Sequence, residues 1–221
     1  MRASVHPHLG FHGFVLGLAL LGAVLLSPLN AHADEGMTAY ENGDYAAAAA
    51  AWRDKAYSDP YSAYNLGTLY ETGKGVDADY KEAFKWYKEA AQDARGEDKR
   101  TLKRQTVLSL TRLVIKNRDH DFYATASMYM STEAMKTGDP EALRMRGLLL
   151  EFLGDYSIEH GIKNADNPLK FSWALLRVAA DRGSPYAKAE ASRVWSKIND
   201  KKGAQRLIKT VRTELQRNGV K

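Results

Sequence analysis

Cysteine is absent from this 221-residue chain, which excludes disulfides, thiolate metal sites and a cysteine nucleophile together. Histidine is nearly absent. Of six, His6, His8, His12 and His32 fall in the first 33 residues, leaving His120 and His160. Two separated histidines without cysteine make a poor zinc site. His120, between Asp119 and Asp121, and His160, beside Glu159, read as solvated loop residues. There is no Gly-x-Ser-x-Gly elbow, no phosphate-cradling glycine loop and no His-Glu-x-x-His pair, so nothing in the chain argues for a known catalytic chemistry. The expectation is a protein with no catalytic residue, no metal and no cofactor.

Long apolar runs are missing except one, Phe14 to Leu29. It follows Arg2 and precedes Ala31-His32-Ala33, a small-x-small cleavage site. That order predicts a secretory signal peptide over residues 1–33, cut after Ala33. The run is short against the roughly 20 residues a membrane span needs, although an uncleaved leader anchoring the chain in the inner membrane is the alternative. The chain has no cysteine after the run, so a lipid-modified amino terminus is excluded. Cleavage would leave 188 residues (221 − 33) starting at Asp34, enough for one elongated domain.

Strong charge of one sign is also lacking: 32 basic residues face 27 acidic ones. The balance is uneven along the chain. Residues 34–60 carry six acids against Arg53 and Lys55, while residues 188–221 carry ten basic residues against Glu190, Asp200 and Glu214. A basic end suits an acidic partner, polysaccharide or anionic lipid. Nucleic acid is an improbable partner for an exported protein.

What is present is a pattern. Ala63, Leu66, Gly67 and Tyr70 recur at helical spacing after Asp59-Pro60, a capping residue followed by the imino acid that suits a first helical turn. Gly73 and Gly75 stop that helix, Val76 returns to the interior, and Asp79 caps a second helix facing inward with Tyr80, Ala83, Tyr87 and Ala91. The seam spacing of zero, three, seven and eleven recurs in Tyr45, Ala48, Trp52, Ala56; in Tyr123, Ala126, Met130, Ala134; in Leu169, Ser172, Leu176, Ala180; and in Ala204, Leu207, Val211, Leu215. Pro60, Pro140 and Pro185 each open a first helix, with small residues Gly67, Gly147 and Ser192 seven positions on and large ones Tyr70, Leu150 and Trp195 ten positions on. The third unit lacks such a proline, and its first helix is expected near Lys99 to Lys116. Six alanines, Ala46 to Ala51, favour helix and close packing. Gly154 to Asn167 replaces the compact glycine turn with what reads as a longer polar loop.

The stretch from Ala63 to Ala91, with Asn65, Gly67, Tyr70, Gly73, Gly75, Val76, Asp79, Tyr80, Trp86 and Tyr87 at fixed offsets, closely resembles one Sel1-like repeat, the bacterial relative of the tetratricopeptide repeat. The resemblance implies an all-α, right-handed α-solenoid of about five helix-turn-helix repeats following the signal peptide. Units are expected near 34–59, 60–97, 98–138, 139–183 and 184–221. One hairpin cannot bury its seam alone, so neighbours must stack on it. The resemblance also implies a periplasmic scaffold or adaptor binding another envelope protein, in signalling, motility, secretion or exopolysaccharide control. The alternative is a protein that binds peptidoglycan or an acidic polysaccharide through its basic carboxyl end. In stacks of this family the first helices line the concave face. The expected groove residues are Tyr61, Tyr64, Asn65, Thr68 and Glu71 in the second unit, Glu141, Arg144 and Glu151 in the fourth, and Tyr186 and Arg193 in the fifth. The convex side and the 154–167 loop are the competing surfaces.

Overall fold

A computed structural model describes residues 35–221. The expected leader, its cleavage site and Asp34 lie outside the described residues. Among the described residues there are ten helices and no strand: α1 (Glu35–Glu41), α2 (Tyr45–Lys55), α3 (Pro60–Thr72), α4 (Tyr80–Asp93), α5 (Arg100–Asn117), α6 (Tyr123–Thr137), α7 (Pro140–Glu159), α8 (Asp166–Asp181), α9 (Ala187–Lys197) and α10 (Lys201–Arg217). From α1 to α9 each helix packs on its neighbours in sequence, which makes the fold an all-α solenoid of antiparallel pairs.

The helix boundaries follow from local chemistry. Asp59 accepts hydrogen bonds from the backbone N–H groups of Tyr61 and Ser62, Asp79 from Lys81 and Glu82, and Asp139 from Ala142, each satisfying donors that a helix start leaves open. Pro60 and Pro140 occupy the first turn, where no N–H is needed. Gly73 ends α3 at φ +68° and Gly75 follows at +69°. Gly75 also packs against the Tyr45 backbone at the start of α2 with no room for a Cβ. The glycine turn of one pair is thereby docked on the second helix of the pair before it.

The seam is the core. Ala48, Trp52, Ala56, Ala83, Tyr87, Ala91, Ala126, Met130, Ala134, Leu169, Leu176, Ala204, Val211 and Leu215 are all buried. Small residues on the first helices let these side chains close. A Cβ on Gly67 would lie 2.8 Å from the Tyr87 ring, and one on Gly147 would lie 2.8 Å from Leu176. The two glycines stand at matching places in their units, as do the two residues they admit.

Four expectations change. Residues 154–159 are helical, because α7 continues to Glu159 with Gly154 packed under Leu169; the connecting loop is only 160–165. Pro185 does not open α9, which starts two residues later at Ala187 without a side-chain cap. The buried face of α9 is therefore Ala187, Ala191 and Val194, with Ile198 buried just past its end, and Ser192 is exposed. Tyr70 is half-buried rather than interior, its hydroxyl accepting from Arg53 Nη2 at 3.0 Å. Finally, α9 and α10 each pack mainly on α8 rather than on each other. The segment after α10 then meets the end of α6, where Asn218 Nδ2 donates to Met135 O at 3.1 Å. Arg182 at the end of α8 bridges the two, its Nε donating to Gly138 O at 2.8 Å and its Nη1 to Lys221 O at 3.0 Å.

Candidate functional site

The first helices α5 and α7 pack side by side and enclose a cavity of about 290 Å³. Its floor is Leu108 and Ile115 from α5 with Met145 and Leu148 from α7, and its rim is Arg112, Lys116, Glu141 and Arg144. Leu108 and Ile115 are two helical turns apart, as required for two side chains on one stripe. They sit beside the buried stripe of Leu110, Leu113 and Val114, so they reach the surface half-buried.

The rim is held by ion pairs that cross from unit to unit. Arg144 donates to both Glu141 oxygens and, at 2.5 Å, to Glu190 of α9, and its guanidinium lies 5.7 Å from the centre of the Tyr186 ring. Its bonds to Glu141, against the cost of burial, hold the Arg144 pKa above the usual value. Further along, Glu151 accepts from Arg193 at 2.6 Å and from Lys197 at 2.9 Å, while Lys197 also reaches Asp155 at 2.8 Å. Burial alone would raise the Glu151 pKa; the bonds from Arg193 and Lys197 outweigh it and lower it. Toward the amino-terminal side Arg112 meets Glu71 only at 3.8 Å and keeps about half its side chain exposed. Lys116 is exposed. The rim therefore offers cations that internal pairing leaves accessible.

Of the expected groove residues, Glu141 and Arg144 line this cavity. Tyr186 is beside them and 65% exposed. Arg193 is exposed but committed to Glu151, which is buried. Tyr64 and Asn65 are buried as well, the Tyr64 ring lying 5.5 Å from Tyr87, and burial raises the Tyr64 pKa. Thr68 and Glu71 both contact the Tyr87 hydroxyl, which donates to Glu71 at 2.7 Å; burial and then Glu71 raise the Tyr87 pKa well above its ordinary value. Tyr61 is half-buried. The second-unit residues thus serve the core more than the surface. The α5 contribution (Leu108, Arg112, Ile115 and Lys116) was outside the expected set, because α5 has no opening proline from which to count. The apolar pair Leu108 and Ile115, seven residues apart and off the seam, was the available signal.

Both histidines lie in loops as expected, His160 exposed and His120 half-buried, but their rings are not free of contacts. His120 stacks on Phe152 at 4.3 Å and on Tyr156 at 3.9 Å, and His160 covers the same tyrosine at 3.9 Å. At the basic end, α10 exposes Lys201, Lys202, Arg206, Lys209 and Arg217, while Arg212 pairs with Asp181 at 2.6 Å. Among the described residues no group of His, Asp and Glu is placed to hold a metal, and no helix is long and apolar enough to cross a membrane.

The family model for the Sel1 repeat matches residues 60–93, the span of α3, its glycine turn and α4. This segment is a Sel1 repeat. The chain is similar to a solved Sel1 repeat protein from Oxalobacter formigenes, with 20% identity, a TM-score of 0.43, and coverage of 82% of this chain and 70% of that one. No curated protein matches the chain. The cavity between α5 and α7 adjoins the Sel1 repeat through the contact between Glu71 and Arg112.

Proposed function

We propose that the chain is an exported, non-catalytic binding protein whose α5–α7 cavity takes an apolar anchor of a partner protein flanked by acidic residues. Sel1 repeat proteins generally mediate protein–protein interaction. The observation that carries the reading here is a hydrophobic floor ringed by the accessible cations Arg112 and Lys116. An apolar side chain buried there gains roughly 1.5–3 kcal/mol, and Arg at a pocket rim is a common interaction hot spot. The leader pattern of residues 1–33 supports export to the periplasm, with an envelope protein as partner.

The test is site-specific photocrosslinking in intact bacteria, with a benzophenone amino acid at Lys116 and, for comparison, at Arg206 on α10. One defined protein adduct from position 116 and none from position 206 is expected, on a mature chain beginning at Asp34. Adducts only from position 206 would transfer the binding face to α10, and a chain retaining its first 33 residues would overturn the export reading.

A further inference from the structure

A second site lies at the other end of α5, apart from the α5–α7 cavity and independent of the function proposed for it. Two cavities of about 440 and 710 Å³ meet there and share Arg100, Glu133, Lys136 and Thr137 as lining residues. Arg95 and Lys103 line the smaller one; Arg104, Asp139 and Arg182 line the larger. The apolar residues of the lining are Ala94, Pro140 and Val220.

Two features of this cleft contradict what local physics favours. The first is the start of α5. No side chain caps it, its first turn has no acidic residue, and Arg100, Lys103 and Arg104 crowd there instead. A helix amino terminus carries partial positive charge and open N–H groups, so carboxylates belong there and cations are misplaced. An anion bound in the cleft would resolve both faults. Arg104 is partly answered by Asp139 at 2.8 Å and Arg100 by Glu97, but among the described residues no carboxylate forms a salt bridge with Lys103 or Lys136. The second feature is Glu133. It is 7% exposed, and its Oε1 is buried with no hydrogen-bond partner. A buried polar atom left unsatisfied is rare and costly. Burial chiefly raises the Glu133 pKa, although Arg104 and Lys103 pull it the other way. Its oxygen calls for an O–H or N–H donor.

We propose that this cleft binds a hydroxylated anion, a sugar acid or sugar phosphate unit, with the anionic group at the α5 amino terminus between Lys103 and Lys136 and a hydroxyl donating to Glu133. A plain anion would leave Glu133 unanswered and repel it. A neutral sugar would leave the cations unanswered. Only a ligand with both groups on one compact unit satisfies both features. Uronate residues of an acidic polysaccharide and free sugar phosphates share this chemistry.

Isothermal titration of the full mature chain with a hexuronate trimer, glucose 1-phosphate, maltotriose, sulfate and hexaglutamate tests it. Binding of the trimer or of glucose 1-phosphate is expected, and which of the two binds more tightly identifies the source; maltotriose should not bind. Lys103→Ala with Lys136→Ala should weaken that binding at least tenfold. Glu133→Leu should weaken it at least fivefold while leaving sulfate binding unchanged or tighter. The surface lysine pair keeps the claim testable should Glu133→Leu fail to fold. Absence of binding by both hydroxylated anions, indifference to the lysine double variant, hexaglutamate binding as tightly as the trimer, or an equal loss for sulfate in Glu133→Leu would overturn the proposal.

Discussion

Single residues decide how closely the helices approach. Gly67 is in the middle of a helix, where alanine would normally be favoured by roughly 1 kcal/mol. A Cβ there would stand 2.8 and 2.9 Å from two carbons of the Tyr87 ring and 3.3 Å from the Ala83 carbonyl oxygen. Overpacking of that kind costs about 1–3 kcal/mol. Gly67→Ala is therefore expected to lower stability in chemical denaturation, and an increase would mean that α3 and α4 can separate freely. His120 sets a different limit. Burial lowers its pKa first, and Arg118 and His160 add to the effect, while Asp119 and Glu159 oppose it. His120 therefore protonates less readily in the folded chain than in the unfolded one, and its contribution to stability falls as pH drops through about 6.5, the unperturbed histidine value. His120→Gln should reduce that dependence in melting curves recorded between pH 7.5 and 5. An unchanged pH profile would show that the stack on Phe152 and Tyr156 does not hold His120 in its neutral form.

Helices show where sequence reading succeeds and where it stops. The register of α3 and α4 was legible because Asp59, Pro60, Gly73, Gly75 and Asp79 fix both ends of both helices by local chemistry. The second helices were legible because one seam spacing buries Trp52, Tyr87, Met130, Leu176 and Val211 at one position of every unit. Tyr45, Tyr80 and Tyr123, which open the seam and were expected to face inward, are only half-buried. Counting from proline failed at α9: Ser184 gives no cap, the helix begins at Ala187, and its buried face turns to Ala191 and Val194. It was impossible at α5, which has neither proline nor cap, so half of the candidate cavity went unseen. The packing of α10 on α8 is a long-range choice that no local signal records. Between α7 and α9 the tie is electrostatic, with Glu151 buried and accepting from Arg193 and Lys197. Glu151→Gln removes the charge that both cations were paired with and should cost about 1–3 kcal/mol. The Glu151 pKa is lowered in the folded chain, so its contribution is present above the unfolded carboxylate pKa and is lost as pH falls through the folded one. The variant should therefore differ most from the parent at neutral pH and converge with it in acid. An equal loss at every pH would indicate that shape and not charge matters at this position.

For the molecule as a whole, stacking brings first helices of successive units within reach of one another, so ion pairs and cavities form between residues that are distant in sequence. Arg144 reaches Glu190 across 46 positions, and Glu71 reaches Arg112 from the Sel1 repeat. Binding capacity is then a property of neighbouring pairs, and the α5–α7 cavity is where apolar floor and accessible charge coincide. The most direct measurement is the affinity, by calorimetry, of the partner captured at position 116 for the double variant Arg112→Glu, Lys116→Glu. Both side chains are exposed at the rim, but Arg112 also faces Glu71 at 3.8 Å, so Lys116→Glu alone, which should leave the melting temperature nearly unchanged, is measured beside the double variant. Reversing two cations opposite acidic residues should weaken binding at least tenfold, about 1.4 kcal/mol or more, and steepen the loss at low salt. An affinity equal to that of the parent chain would contradict the account.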